Sequence, residues 1–451
     1  MLSYNIPWNQ YDQAAHEKMD LRRTGTVLQV VGLMIEGSGP AVSIGDLCEV
    51  HPDDGTKPIK AEVVGFRHDV LLLMPLGSIK GIHPGSLIVS EGHSEMVSVG
   101  EELLGRVLGP MGEPLDRGPT IQTLDKTPLY ADPINPMLRR RIDEKLDIGV
   151  RSINALLTVG RGQRVGIFSG SGVGKSTLLG MMARYTDADI NVIAMVGERG
   201  REVVEFLEKD LGPEGLARSI VIVATSDQPP LMRLRAAFMA TAIAEYFRAK
   251  DKHVLLLMDS VTRFAMAQRE VGLARGEPPT SKGYPPSTFM ILPNLLERAG
   301  RDQGAGSITG LYTVLMEGDD LQDPIVDAVR GILDGHFVLS RDLAVANQYP
   351  AIDVLQSLSR LMEDLASLEH KKWAGTVRES LAVYKKAEDM INIGAYVAGS
   401  NPQIDQAIKL MLPIKDFLTQ SINEGCSMED SINHMMSMLE SGMHNIPDNM
   451  A

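Results

Sequence analysis

The run Phe168-Ser169-Gly170-Ser171-Gly172-Val173-Gly174-Lys175-Ser176-Thr177 constrains this chain more than any other stretch. Residues 163–168 predict a strand before it, and residues 177–183 predict a helix after it. Glycines between a strand and a helix let the backbone curl until several N–H groups point inward at phosphate oxygens. The positive end of the following helix adds to that pull. Ser171, Gly172, Val173, Gly174, Lys175, Ser176 and Thr177 are therefore candidate nucleotide-binding residues. Lys175 can reach the β- and γ-phosphates, and the Ser176 hydroxyl can ligate Mg²⁺, so the expected cofactor is Mg²⁺ with ATP. The strict pattern G-x-x-x-x-G-K-[ST] has glycine where this chain has Ser169, but Gly170 follows at once and can serve the first turn.

The remaining bounds are broad. At 451 residues, with 44% hydrophobic and 23% charged residues, the chain is globular and long enough for several domains. Its net charge of −14 speaks against bulk nucleic-acid binding. Cys48 and Cys426 are far apart and show no metal spacing, as expected of a reducing compartment. No basic start precedes an apolar core at the N-terminus, and no apolar run has the length of a membrane span. The expected location is cytoplasmic.

Four zones follow one another. Residues 1–22 are polar with scattered Leu2, Tyr4, Ile6, Trp8 and Tyr11, and suit either a loose arm or a short amphipathic helix. Residues 23–96 read as short strands, among them 26–31, 61–66 and 70–74, separated by turns such as Pro52-Asp53-Asp54-Gly55. That spacing predicts a small β-barrel. Residues 97–360 open with proline-rich segments and continue with apolar runs at 190–196, 220–224, 254–258 and 311–316 that alternate with helical patterns. Continuous apolarity predicts strands buried on both faces, and the alternation predicts a parallel α/β sheet with ligand at its carboxyl ends. Residues 361–451 read as helical, with Ile432, Met435, Met436 and Leu439 on one face and Gly442 as a stop.

Two of those strands end in acids. Asp259 closes 254–258 and can hold the Mg²⁺ shell, directly or through water. Glu198 follows 190–196 and can orient a water for in-line attack on the γ-phosphate. Arg199 can contact phosphate oxygens. Glu202 can support metal-bound waters, or form a solvated ion pair with Arg201 at a helix start.

The segment Pro350-Ala351-Ile352-Asp353-Val354-Leu355-Gln356-Ser357-Leu358-Ser359 fits the pattern P-[AS]-[ILV]-[DN]-x-x-x-S-x-S of rotary-type ATPase α/β subunits. With the phosphate loop and Gly197-Glu198-Arg199, the chain resembles the F-type, V-type and type III secretion ATPases over nearly its whole length. The resemblance implies a RecA-like ATPase core between the barrel and the helical domain, and a hexameric ring with nucleotide between subunits. It also implies that Arg360 is an arginine finger reaching a neighbour's γ-phosphate, that Tyr349 stacks on adenine, and that Arg263 lies on the phosphate side. Lys175, Glu198 and Arg360 on one chain suggest a homohexamer. The segment 276–287 resembles the type III export ATPases, and Ile391-Asn392-Ile393-Gly394-Ala395-Tyr396-Val397-Ala398-Gly399-Ser400-Asn401-Pro402 resembles their flagellar branch. That branch implies a stator-like regulator at the N-terminal arm, a central coiled-coil stalk, export chaperone–substrate complexes and a membrane export gate as partners, and no nucleic acid. It places the protein at the inner face of the membrane, with residues 272–287, Tyr284 among them, facing a central channel. The alternatives are an injectisome ATPase, an ATP synthase β subunit, a silent nucleotide-binding subunit and a terminator-like RNA helicase.

Overall fold

The computed structural model describes residues 23–444 except 54, 56, 93, 94, 317, 319 and 321, so the expected N-terminal arm lies outside the described residues. The chain divides into two compact units, Met1–Glu95 and Met96–Ala451.

In the first unit six strands close into a barrel: β1 (Thr24–Val31), β2 (Met34–Ser38), β3 (Leu47–His51), β4 (Ile59–Arg67), β5 (Val70–Pro75) and β6 (Leu87–Ser90). Their order is β1-β2-β5-β4-β3-β6, and neighbours are antiparallel. Side chains alternate between the two faces of a strand. The inward set includes Val27, Ile35, Val50, Val63, Leu73 and Ile88, which form one apolar cluster.

The second unit begins with a ribbon of β7 (Met96–Val99) and β9 (Asp125–Pro128). A short pair, β10 (Lys145–Leu146) and β11 (Val159–Gly160), follows. The main sheet contains β8 (Val107–Leu108), β12 (Arg164–Ser169), β13 (Ile190–Glu198), β14 (Ser219–Thr225), β15 (His253–Asp259), β17 (Ser307–Leu315) and β18 (Gly335–Leu339). These run parallel in the order β18-β12-β17-β15-β13-β14-β8. Antiparallel additions are β19 (Leu358–Ser359) on β18 and β16 (Gly300–Arg301) on β17. The four apolar runs are β13, β14, β15 and β17, buried along nearly their whole length. β17 starts earlier than its apolar run, because Ser307 and Thr309 already pair with β15. The phosphate-loop helix, Lys175–Tyr185, extends the expected helix at both ends.

Three helices, Leu368–Asn392, Pro402–Leu418 and Met428–His444, end the described chain. The Ser367 hydroxyl and the Asn401 side chain cap the first two. Val377, Leu410, Phe417, Met435 and Leu439 pack into the same apolar core as Val165 and Ile167 of the sheet. Met435 and Leu439 form the buried line of the last helix, while Ile432 and Met436 are half-buried. Gly442 does not stop that helix, which runs to His444. An internal glycine costs a helix only about 1 kcal/mol, too little to end it alone. Within the loop 272–287, Tyr284 packs against the chain while residues 278–282 are exposed. Tyr284 is 7% exposed, and the Arg269 guanidinium lies 5.4 Å from its ring centroid.

Candidate nucleotide site

β12 ends at Ser169, and the next helix begins at Lys175. Between them Gly172 and Gly174 take left-handed backbone, with φ of +77° and +84°. A Cβ on Gly174 would also lie 3.3 Å from the ring of Tyr349, so the loop and that ring are in close approach. Ser169 is still a strand residue, and its carbonyl accepts a bond from the Met316 amide. It occupies extended backbone, which explains why no glycine is required there. The freedom of the loop is used at positions 172 and 174 instead of in the first turn.

The parallel register sets the acids beside this loop. Asp259, the last residue of β15, pairs in register with Met195 of β13. A bulge at Gly197, φ +74°, then carries β13 on to Glu198. A Cβ on Gly197 would meet the Arg263 side chain at 2.8 Å, so Arg263 lies directly over this bend. Lys175 Nζ stands 2.5 Å from Asp259 Oδ1 and 3.6 Å from Glu198 Oε1. Both acids are buried, at 3% and 7% exposure.

Burial pushes the Glu198 carboxyl up to about 7; the negative charge of Asp259 adds to this, Lys175 opposes it, and Glu202 adds to it again. For Lys175 burial works against the charged form, but Asp259 and Glu198 outweigh it and hold its pKa above the ordinary value. Glu198 Oε1 is buried and makes no hydrogen bond. Glu202 thus adjoins Glu198 electrostatically, and it also faces Arg199 Nη1 at 3.9 Å. The Arg199 side chain is largely in solvent.

Arg360 is not in this cluster. The segment 350–359 returns antiparallel along β18, from a bridge between Ile352 and Leu339 to the pair Ser359–Gly335. Asp353, Ser357 and Ser359 hold it there. Asp353 accepts from the Leu355 and Gln356 amides, Ser357 Oγ accepts from the Val338 amide, and Ser359 Oγ donates to the Thr158 carbonyl. The return sets Tyr349 beside the phosphate loop and Arg360 at the opposite end of the sheet. Leu339 is level with Ser169, whereas Gly335 lies four residues back, about 13 Å along the strand. The Arg360 amide bonds the Asp334 carbonyl, and its side chain is exposed just past the edge strand.

One participant was not expected from sequence. Thr313 of β17 is fully buried, and its hydroxyl donates to Asp259 Oδ1 at 2.7 Å. Its only signal in the sequence is a hydroxyl inside the apolar run 311–316.

Three sequence profiles match the chain in order: the ATP synthase alpha/beta family beta-barrel domain at residues 27–92, that family's nucleotide-binding domain at 149–359, and the T3SS EscN ATPase C-terminal domain at 366–437. A flagellum-specific ATP synthase of Bacillus subtilis is 56% identical over 92% of this chain and 95% of its own length. The chain belongs to the ATP synthase alpha/beta family, on its type III export branch. It is therefore an ATPase, as Glu198, Asp259 and the segment 350–360 beside the phosphate loop implied. A type 3 secretion system ATPase of Xanthomonas euvesicatoria is 50% identical over 93% of this chain and 95% of its own. Among solved structures, the assembled ATPase EscN of enteropathogenic E. coli superposes with a TM-score of 0.86 at 44% identity, covering 92% of this chain and all of that one. EscN has also been solved in complex with its central stalk EscO, and that structure gives a TM-score of 0.85.

Proposed function

We propose that this chain is the Mg²⁺-ATP-hydrolysing subunit of a flagellar type III protein export apparatus and works as a homohexamer. The observation that carries the assembly is the separation of Arg360 from its own Lys175–Glu198–Asp259 cluster. An arginine at the opposite end of β18, about 13 Å along the strand from the level of the loop, cannot serve the phosphate loop of its own subunit. It can serve the next subunit's loop, and a head-to-tail contact of that kind closes into a ring.

The residues fit a magnesium nucleotide. Ser176 and Asp259 offer the hard oxygen donors that Mg²⁺ prefers, and one or two such ligands suffice when phosphates and waters complete the shell. Bound with the nucleotide, the metal would neutralise charge on the β- and γ-oxygens. Lys175 would exchange Asp259 for those oxygens. The backbone of residues 171–177 would cradle the phosphates, and Tyr349 would cover the base with its ring face. Glu198, with a pKa near 7 and an unbonded oxygen, suits a group that orients a water and takes its proton. Arg263 would hold phosphate oxygens from beside Gly197. Arg199 and Glu202 would act at the mouth of the site.

In this reading residues 1–22 form an arm for a stator-like regulator, 23–96 the barrel, 97–360 the ATPase domain and 361–451 the helical domain. A coiled-coil stalk would enter the ring, as EscO is bound to EscN. Chaperone–substrate complexes would dock on the ring below a membrane export gate. Attachment to the membrane would be peripheral; among the described residues no helix is long and apolar enough to cross a membrane. The injectisome reading retains support from the 50% identity to the Xanthomonas enzyme and from the EscN likeness. Flagellar service is favoured by the 56% identity to the Bacillus enzyme.

Two experiments test this reading. Specific ATPase activity should rise with protein concentration, in step with the ring measured by sedimentation; constant activity in the monomer would remove the shared site. In the native host a Lys175→Ala allele should abolish flagellar filaments, and intact filaments would reject the flagellar assignment.

A further inference from the structure

We propose that Thr313 is a positioning residue that fixes the rotation of the Asp259 carboxylate, and so sets how strongly Mg²⁺ improves nucleotide binding. The inference rests on the reading of Asp259 as the carboxylate facing the nucleotide-bound cation.

β17 lies between the strand that feeds the phosphate loop and the strand that ends in Asp259. Its carboxyl end is tied to both. The Met316 amide bonds the Ser169 carbonyl, and the Leu315 amide bonds Thr262 Oγ1 just past Asp259. Thr313 stands two residues before Leu315, with its hydroxyl within 2.7 Å of Asp259 Oδ1 and 3.3 Å of the Met258 carbonyl. A single hydroxyl proton goes to one acceptor at a time, and the shorter contact with the charged oxygen is the stronger bond.

Asp259 Oδ1 therefore has two donors, Lys175 and Thr313. When Lys175 turns to the phosphates, only Thr313 remains of that pair. With Oδ1 held, the other oxygen keeps a fixed direction. Without the hydroxyl, a buried carboxylate that has lost its lysine must rotate to find a partner, because an unsatisfied buried charge is costly. Groups that orient metal-binding carboxylates typically alter metal affinity about 10- to 100-fold when removed.

The experiment measures binding of a non-hydrolysable ATP analogue by the full chain, with Mg²⁺ and with EDTA. Thr313→Val should lower the Mg²⁺-dependent gain in affinity about tenfold while leaving the EDTA affinity within twofold of the unsubstituted protein. Thr313→Ser, which keeps the hydroxyl, should restore the gain. A purely structural role would lower the melting temperature or both affinities alike, and either result without a selective loss of the Mg²⁺ gain overturns the proposal. If Thr313→Val does not fold, Thr313→Ala takes its place with the same expected outcome. Asp259→Asn separates the two levels. Loss of the Mg²⁺ gain there, with a normal gain in Thr313→Val, rejects only the role of Thr313. A normal gain in Asp259→Asn rejects the reading of Asp259 and the proposal with it.

Discussion

Lys175 Nζ and Asp259 Oδ1 lie 2.5 Å apart in a pocket where both side chains are largely buried, so the lysine of the phosphate loop is held by the acid of β15. Removing one partner of a buried pair strands the other charge at a cost of about 3–5 kcal/mol. Lys175→Ala should therefore lose ATPase activity and also destabilise the nucleotide-free protein by about 3 kcal/mol. Lys175→Ala combined with Asp259→Asn should regain part of that stability in chemical denaturation and none of the activity. An additive double variant would show that the two side chains are not energetically coupled.

Glu198 makes the stability of the nucleotide-free protein depend on pH. Its folded pKa, about 7, is raised above the ordinary 4.5, so its favourable contribution is complete below pH 4.5 and is lost as pH rises through 7. Glutamine cannot ionise. Glu198→Gln should thus be more stable than the unsubstituted protein at pH 8, by on the order of 3 kcal/mol, and the two should converge below pH 4.5. The same variant should still bind ATP and turn over about 10²- to 10⁴-fold more slowly. Melting curves across pH and a steady-state assay check both parts, and an unchanged turnover would remove Glu198 from the chemistry.

These residues differ in how legible they were. The phosphate loop is readable because its chemistry compels a local pattern, and Glu198 and Asp259 are readable because each ends an apolar strand. The barrel and the four buried strands follow from apolar spacing for the same reason. Thr313 was missed because its partner is 54 residues away in sequence, and a threonine in a strand is ordinary on propensity alone. The two-residue strands β8, β10, β11, β16 and β19 are too short to show any periodicity. The place of Arg360 depends on the antiparallel return of 350–359; the local pattern marks Asp353, Ser357 and Ser359, but the bonds of the two serines go to Val338 and Thr158, far away in sequence.

Gly197 offers a test of the bend that delivers Glu198. Its φ of +74° is strained for any side chain, and an added Cβ would lie 2.8 Å from Arg263. Gly197→Ala should cost about 1–3 kcal/mol of stability and displace both neighbours of the bend. ATPase activity should fall at least as far as in Arg263→Ala, while secondary structure by circular dichroism stays unchanged. Full activity in Gly197→Ala would mean that the bulge does not set the position of Glu198.

Arg360 and Lys175 lie at opposite ends of one sheet, so two defective subunits should be able to repair each other. A ring of Lys175→Ala subunits has no working phosphate loop, and a ring of Arg360→Ala subunits has no finger; removing such an arginine typically costs about 10³-fold or more in turnover. In a mixed ring, an Arg360→Ala subunit supplies an intact Lys175 site and its Lys175→Ala neighbour supplies the arginine. Mixing the two proteins before assembly should restore activity to a fraction set by the random placement of subunits. A chain carrying both substitutions should rescue neither single variant. Activity in pure Arg360→Ala rings, or no recovery in mixed rings that sedimentation shows to be assembled, would place the finger elsewhere.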